Sequence, residues 1–214
     1  MHAVTARLLV MDVDSTLITG EVIEMLAAHA GSLDLVAEIT ERAMRGEIEF
    51  ATSLHERVAT LAGLDVAVFD AVRERMELSA GARELVGEVQ SRGWYVGLVS
   101  GGFVELVAPL AASLGITLYR ANALEVADGR LTGRVTGPVI DRAAKAVALR
   151  DYAATVGADL AATVAIGDGA NDLDMLATAG FGIAFNAKPV VAAQADATIT
   201  DRLDAALALA PFLR

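Results

Sequence analysis

The sequence predicts an α/β protein: a doubly wound parallel sheet with a helical cap inserted after the first strand and a β-hairpin. Three observations support this prediction. Short apolar runs are followed by polar or glycine-rich turns and helical periodicity, one long segment shows helix after helix, and a later segment alternates around an Asp-Gly pair. With 214 residues, 55 % of them hydrophobic, the chain can bury one core and carry a small insertion.

Four apolar runs are the strand candidates. They span residues 6–11, 94–99, 163–166 and 181–185, and each ends near Gly, Ser, Asp or Asn. An unbroken apolar run of this length is typical of a strand buried on both faces. The repeated order of strand, turn and helix predicts a parallel sheet, whose functional residues gather at the carboxyl ends of its strands.

The segment from Gly20 to about Met76 shows no convincing strand. Apolar residues recur at three- and four-residue spacing in the ranges 21–29, 33–45, 49–61 and 65–76. Gly31, Gly46 and Gly63 are the expected helix stops. We therefore predict a helical cap over residues 18–76, with the α/β core formed by residues 1–17 and 77–214. Such a cap would cover the catalytic edge of the sheet and exclude water.

A β-hairpin is predicted after the second strand candidate. Residues 124–135 alternate on both sides of Asp128-Gly129. An Asp-Gly pair between alternating segments favours a tight two-residue turn. We expect this hairpin to flank the core.

The composition excludes several classes of function. The 28 acidic residues outnumber the 17 basic ones, and a net charge of −11 is repelled by nucleic acids and anionic membranes. The absence of cysteine excludes thiol catalysis and thiolate zinc sites, which leaves oxygen ligands for a metal. No apolar run reaches the length of a signal peptide core or a membrane span. We expect a cytoplasmic protein without nucleic-acid or membrane partners.

Two acidic motifs follow strand candidates. Asp12-Val13-Asp14 comes after the first, and the run GDGAND, which contains Asp168 and Asp172, comes after the third. A lone Asp-x-Asp is more often a solvated strand end beside a helix cap. Two acidic strand ends in one parallel sheet lie close together if the strands pair, and clustered carboxylates require a cation. Oxygen ligands in small number favour Mg²⁺ over Zn²⁺.

A Ser-Gly turn and an isolated lysine complete the pattern. Ser100-Gly101-Gly102 follows the second strand candidate and offers N–H groups and a hydroxyl to an anion, although such a turn is more often structural. Lys145 is one of only two lysines. The other, Lys188, follows Asn186 and is interpreted as part of a loop and helix start. The combination of acidic strand ends, a Ser-Gly turn and a lysine indicates a phosphoryl site more strongly than any one of them.

In that order, DVDST, VSGG, Lys145 and GDGAND resemble the motifs of the haloacid dehalogenase superfamily. The longer segments MDVDSTLITGEVIEMLA, VSGGF, LEVADGRLTGRVTGP, GDGANDLDML and NAKP resemble the phosphoserine phosphatase family along most of the chain. The resemblance implies a haloacid dehalogenase-like core. It also implies Mg²⁺-dependent hydrolysis of O-phospho-L-serine through an aspartyl-phosphate, the last step of serine biosynthesis.

The resemblance also implies roles for individual residues. Asp12 would be the nucleophile and Asp14 the general acid and base. Mg²⁺ would be held by Asp12, Asp168 and the backbone carbonyl of Asp14, with Asp172 in the second shell. The phosphoryl group would be held by Ser100, Gly101, Lys145 and Asn171. The rest of the substrate would meet Glu21 at its ammonium, Arg57 at its carboxylate, Phe50 packed over it and Met44 as a neighbour.

Two other functions fit the same residues. One is a related phosphatase or phosphotransferase acting on another small phosphorylated alcohol, such as phosphohomoserine, which a substrate panel would distinguish. The other is a phospho-amino-acid sensor without turnover, which the full set of nucleophile, acid, lysine and metal carboxylates disfavours. Taken singly, Glu21 and Arg57 would be solvated helix charges. His2, His29 and His55 lack the spacing of metal ligands.

Overall fold

The computed structural model describes residues 6–44 and 47–213. Within these ranges, seven strands form one sheet in the order β4-β3-β2-β1-β5-β6-β7. Only β3 and β4 pair antiparallel there; the other neighbours are parallel, which confirms the predicted class. The strands are β1 (Ala6–Met11), β2 (Tyr95–Phe103), β3 (Leu118–Ala127), β4 (Arg130–Thr136), β5 (Ala158–Gly167), β6 (Phe181–Phe185) and β7 (Ala197–Ile199).

Four α-helices follow β1 within the predicted insertion, as the periodicity predicts. Gly31 ends the first of them with a left-handed φ of 69°, while Gly46 lies outside the described residues. At the base of this insertion, Thr19 N–H donates to the Glu77 carbonyl at 3.0 Å, so the outgoing and returning chains lie side by side. The exact limits of the cap, 18–76, stay a prediction. The helices are α1 (Val22–Ala30), α2 (Leu33–Met44), α3 (Phe50–Ala59) and α4 (Val68–Arg75).

The central strand β1 is buried on both faces. Leu8 and Val10 belong to one hydrophobic cluster, and Leu9 and Met11 belong to another on the opposite face. Helices α5 (Ala82–Ser91) and α6 (Val104–Ser113) contribute to the second cluster. The first cluster is covered by α7 (Arg142–Val156), α8 (Leu173–Thr178) and α9 (Pro189–Ala192). In the described ranges, no helix is both long and apolar enough to cross a bilayer.

The hairpin forms at the predicted turn but belongs to the main sheet. Asp128 and Gly129 both have positive φ, at 50° and 73°, as a two-residue hairpin turn requires. The first arm, however, begins at Leu118 and pairs in parallel with β2. The hairpin therefore lies at one edge of the sheet, as expected, and its first arm also extends the parallel sheet. The alternation in the sequence begins only at about residue 124. It therefore did not reveal residues 118–122, the part of the arm that pairs with β2.

Strand β2 contains an irregularity at the expected turn. Val99 pairs with Arg120 and Phe103 pairs with Asn122, so residues 100–102 lie opposite Ala121 alone. These residues therefore form a bulge inside the strand rather than a turn after it. Helix α6 begins directly after the bulged strand, at Val104.

Candidate active site

The two acidic motifs meet at the carboxyl edge of the sheet. Strands β1 and β5 pair with Met11 opposite Ile166, and Asp12 N–H extends this pairing by donating to the Ile166 carbonyl at 3.0 Å. Carboxylate oxygens of Asp12, Asp168 and Asp172 come within 4.8 Å of one another. The sequence prediction of one acidic cluster from two strand ends agrees with this arrangement.

Lys145 lies inside this cluster. Its Nζ is 2.8 Å from Asp12 Oδ1 and 2.6 Å from Asp172 Oδ1, and the residue is fully buried. It is positioned by the first turn of α7, whose N-cap Asp141 accepts a hydrogen bond from Ala144 N–H. Burial disfavours the ammonium, but the two carboxylates outweigh it and raise the pKa of Lys145 above its usual range. Lys145 is therefore a permanent cation.

Asp14 is held apart from the cluster by two hydrogen bonds. Its Oδ1 accepts from Val22 N–H at 2.9 Å, at the start of α1, and its Oδ2 accepts from the Ser100 hydroxyl at 3.0 Å. Burial, with the charge of Glu21, raises the pKa of Asp14 to about 7. A carboxyl with this pKa can both donate and accept a proton near neutral pH.

The three clustered carboxylates fit a metal ion. Burial raises the pKa of Asp168 to about 6, and burial together with Asp172 raises that of Asp12 well above its usual value. One lysine therefore does not balance the cluster, and the donors are all carboxylate oxygens, which suit a hard divalent cation. Both oxygens of Asp172 already accept hydrogen bonds, from Lys145 and from the N–H groups of Asp168 and Gly169. This favours an orienting role for Asp172 around the metal.

The bulge in β2 lies against Asp14. A Cβ on Gly102 would stand 2.6 Å from Asp14 Oδ2 and 2.6 Å from Val22 Cγ2, so only glycine fits there. Gly102 N–H donates to Ser100 Oγ at 2.8 Å. Gly101 faces the cavity, where a Cβ would stand 3.4 Å from the ring of Phe50.

The cap and the sheet edge enclose a small cavity. It has a volume of about 80 Å³ and is lined by Asp12, Asp14, Gly101 and residues of both domains. A larger cleft of about 500 Å³ shares part of this lining. Five predicted residues line both spaces, namely Glu21, Phe50, Arg57, Asp168 and Asn171. The side chain of Met44 lies outside the described residues.

Glu21 and Arg57 bring opposite charges to the mouth of the cavity. Glu21 Oε1 accepts from the Ser15 hydroxyl at 2.6 Å, and Arg57 Nε donates to the Ser53 carbonyl at 3.3 Å. Burial lowers the pKa of Arg57, while the nearby Glu21 and Asp14 carboxylates oppose this shift. Ser15 therefore holds the Glu21 carboxylate, the Ser53 carbonyl holds the Arg57 guanidinium, and both charged side chains line the same cavity.

Three residues near the site were missed or given another role by sequence reasoning. Asn122, on β3, is buried behind the bulge, and no sequence signal marks an isolated asparagine in a strand. Asn186 and Lys188 line the larger cleft, although the sequence indicated a loop and helix start. The sequence did offer a signal for these two residues. The NAKP segment follows β6 directly, and the other motifs also follow strands at this edge of the sheet.

A further cavity lies at the opposite end of the strands. It has a volume of about 290 Å³, and its lining includes Arg7, Trp94, Thr163 and Phe181. Its lining residues include no carboxylate. The chemistry of the acidic motifs is therefore confined to the cavity under the cap.

Comparison with known proteins identifies the family. Residues 9–177 match the haloacid dehalogenase-like hydrolase family. The chain belongs to this family. Among the relatives of this chain, a phosphoserine phosphatase of Streptococcus thermophilus is 56 % identical, with 91 % of this chain and 90 % of that protein covered. A phosphoserine phosphatase of Streptomyces coelicolor is 59 % identical over 89 % of this chain.

Two solved structures resemble this haloacid dehalogenase-like hydrolase closely. One is a phospho-aspartyl intermediate analogue of a phosphoserine phosphatase, with a TM-score of 0.89, 40 % identity and coverage of 95 % of this chain and 98 % of that one. The other is a substrate-bound phosphoserine phosphatase complex, with a TM-score of 0.90, 39 % identity and coverage of 96 % and 98 %. The chain spans only 47 % of the Streptomyces coelicolor relative and 48 % of one from Mycobacterium tuberculosis.

Proposed function

We propose that this protein is a Mg²⁺-dependent phosphoserine phosphatase that hydrolyses O-phospho-L-serine to L-serine and phosphate, the last step of serine biosynthesis. One observation carries the proposal. The buried Asp12 carboxylate contacts Lys145 at the floor of a cavity whose wall includes Asp14, a carboxyl with a pKa of about 7. A nucleophile, a fixed cation and a proton donor thus share one enclosed space, and the family relatives named above are phosphoserine phosphatases.

In the first step, a carboxylate oxygen of Asp12 attacks phosphorus and forms an aspartyl-phosphate. The bond between phosphorus and the serine oxygen breaks, and the protonated Asp14 gives its proton to that departing oxygen. Ser100, Gly101, Lys145 and Asn171 hold the phosphoryl oxygens during transfer. The hydrogen bonds from Val22 and Ser100 keep the Asp14 carboxyl in place for this transfer.

In the second step, the Asp14 carboxylate accepts a proton from a water molecule as its oxygen attacks phosphorus. The bond between phosphorus and Asp12 breaks, which releases phosphate and restores both carboxyl groups. One buried group thus serves both half-reactions, because its pKa of about 7 allows either protonation state.

Mg²⁺ would be held by Asp12, Asp168 and the backbone carbonyl of Asp14. Asp172 would orient the Asp168 loop, because it accepts hydrogen bonds from the N–H groups of Asp168 and Gly169. When bound, the ion neutralises the carboxylates and favours the ionised, nucleophilic form of Asp12. The three clustered aspartates and Asp14 bring up to four negative charges, and a phosphate monoester brings about two more. Lys145 offsets only one of these negative charges.

Recognition of the amino-acid part falls to the cap. Glu21 would bind the substrate ammonium and Arg57 its carboxylate, with Phe50 packed over the ligand and Met44 beside it. The location of Glu21, Phe50 and Arg57 in the cavity wall supports these roles. The proposal includes a cytoplasmic place of action. It also includes no nucleic-acid or membrane partner, which the net charge of −11 supports.

The test is a steady-state measurement of phosphate release. O-phospho-L-serine, phosphohomoserine and p-nitrophenyl phosphate are compared with Mg²⁺ present and after chelation. We expect the highest kcat/KM for O-phospho-L-serine and loss of release without the metal. A preference for phosphohomoserine would replace the substrate assignment, and binding of phosphoserine without release would indicate a sensor.

A further inference from the structure

Asn122 joins two parts of the site from behind. Its side chain is buried, with 1 % exposed, and the residue pairs with Phe103, directly after the bulge in β2. Its Nδ2 donates to the Gly101 carbonyl at 2.8 Å, and its Oδ1 accepts from Ile140 N–H at 2.8 Å. Gly101 belongs to the bulge, and Ile140 directly precedes the Asp141 cap of α7, the helix that carries Lys145.

A side-chain amide satisfies both of these partners. A backbone carbonyl only accepts hydrogen bonds and a backbone N–H only donates them, and Asn122 donates from Nδ2 and accepts at Oδ1. A carboxylate lacks the donor, and an aliphatic side chain lacks both. Leaving either backbone group buried without a partner carries a free-energy penalty.

The bond to Gly101 continues toward Asp14. The peptide between Gly101 and Gly102 is trans, so its carbonyl and N–H point in opposite directions. The carbonyl is held by Asn122, and the N–H donates to Ser100 Oγ, which donates to Asp14 Oδ2. Asn122 is therefore the first member of a chain of hydrogen bonds that ends on the proposed acid and base.

This peptide needs an external restraint because both of its residues are glycine. Glycine has more accessible backbone conformations than any other residue, so a Gly-Gly peptide reorients readily unless both of its ends are held. Gly102 cannot gain a side chain because of Asp14, and Gly101 faces the cavity. The restraint therefore comes from a neighbouring strand.

We propose that Asn122 is a positioning residue that holds the Gly101-Gly102 peptide so that the bulge presents Ser100 and Gly101 to the phosphoryl group. This inference rests on the proposed function, because it assigns the bulge to phosphoryl binding. It predicts that Asn122 supports the phosphate half of the site and leaves the amino-acid half, built on the cap, unaffected.

The experiment measures the two halves separately. Orthophosphate affinity is measured by calorimetry with Mg²⁺ present, L-serine affinity by product inhibition, and kcat with O-phospho-L-serine. For Asn122→Leu and for the smaller change Asn122→Ser, we expect orthophosphate affinity and kcat to fall at least about tenfold. L-serine inhibition should stay within about twofold of that of the unmodified protein.

Thr163→Val is the matched control. Thr163 is also 1 % exposed, donates to the Leu160 carbonyl at 2.7 Å and accepts from Gly180 N–H at 3.2 Å, in the middle of β5 beside the 290 Å³ cavity. It should lower Tm as the Asn122 variants do while leaving all three quantities within about twofold.

Three results would overturn the inference: unchanged orthophosphate affinity in the folded Asn122→Ser protein, a parallel loss of L-serine affinity, or an equal loss of phosphate affinity in Thr163→Val. A failure of the proposed function is distinguished from these results. In that case the unmodified protein would not release phosphate from phosphoserine, while orthophosphate binding would still report on Asn122.

Discussion

At the scale of single residues, the site is a balance of buried charges. Lys145 contacts Asp12 and Asp172 and offsets part of a cluster that includes Asp168. Removing the lysine would leave both carboxylates buried without this cation, and loss of one partner of a buried ion pair costs about 3–5 kcal/mol. We therefore expect the largest losses of activity when Asp12 or Lys145 is replaced.

Asp12→Asn should lower kcat for phosphoserine by about 10³-fold or more while leaving the fold intact, because the amide keeps the shape but is not a nucleophile. Phosphate release and the circular dichroism spectrum are the measurements. Asp151→Asn, on the exposed side of α7, is the control and should keep full activity. Beryllofluoride with Mg²⁺ should bind at Asp12 in a crystal structure, and its appearance on Asp14 or Asp168 would contradict the assignment.

Lys145→Ala and Lys188→Ala compare the two lysines of the chain. Lys145 is buried among the carboxylates, whereas Lys188 is an exposed residue of the larger cleft. With saturating Mg²⁺, kcat/KM should fall by about 10³-fold or more for Lys145→Ala and by less than about tenfold for Lys188→Ala. Equal losses would show that α7 has another role than the one assigned to it.

At the scale of secondary-structure elements, a bulged strand and an inserted cap divide the work. The bulge in β2 brings Gly101 and Gly102 to the cavity, with Ser100 buried beside them on Asp14, and the cap brings Glu21, Phe50 and Arg57 to the cavity wall. Phosphoryl chemistry and amino-acid recognition are thus placed on different elements. Changes in one should be separable from changes in the other.

Gly102→Ala tests the bulge. The new methyl group would displace the Asp14 carboxylate or Val22, so kcat should fall by at least about tenfold. Gly87→Ala in α5 is the matched control, because its Cβ would meet nothing within 4 Å. That variant should keep its kcat and gain about 0.5–1 kcal/mol in the free energy of unfolding. Full activity of Gly102→Ala would contradict the close packing of the bulge on Asp14.

Arg57→Ala and Glu21→Gln test the cap. Loss of one partner in a desolvated charge pair costs about 2–5 kcal/mol, which corresponds to tens to thousands of fold in kcat/KM. Phosphoserine turnover should therefore fall by at least about thirtyfold, whereas p-nitrophenyl phosphate, without ammonium or carboxylate, should change little. Arg73→Ala, an exposed cap arginine paired with Asp70, is the control. A parallel fall for both substrates would assign these charges to the phosphate or the fold.

At the scale of the whole molecule, the cluster ties stability to pH and metal. In the folded protein the pKa values of Asp14 and Asp168 are about 7 and about 6, above the ordinary value of 3.8. The folded state therefore binds protons more tightly than the unfolded state. The stabilisation from these two groups is complete below about pH 3.8 and is lost as the pH rises through about 6 and 7.

Without divalent metal, the free energy of unfolding should fall between about pH 4 and pH 7, and the fall should be smaller in Asp168→Asn, which lacks one of these groups. Saturating Mg²⁺ should remove this difference in slope, because the ion binds the ionised carboxylates of the folded state only. Urea denaturation at several pH values, with Mg²⁺ and with chelator, measures both effects. Identical slopes for the two proteins without metal would contradict the raised pKa of Asp168.

Much of this arrangement follows from the sequence alone. The apolar runs around β1 and β5, the helical periodicity of the cap and the Asp128-Gly129 turn are local patterns, and each has a direct consequence for the backbone. The rule that parallel strands end at one edge then brings Asp12 and Asp168 together without any coordinates. Resemblance to a known family added the roles of Glu21 and Arg57.

Other features were decided only by the tertiary structure. These features are the pairing of β3 with β2, the bulge at residues 100–102 and the two hydrogen bonds of Asn122. Each of them links segments about twenty residues or more apart in the sequence. The contact of Lys145 with both Asp12 and Asp172 likewise depends on how α7 packs against the sheet. No local pattern encodes these contacts, because a hydrogen bond across two elements depends on their relative register and depth. That geometry is set by the packing of the whole core.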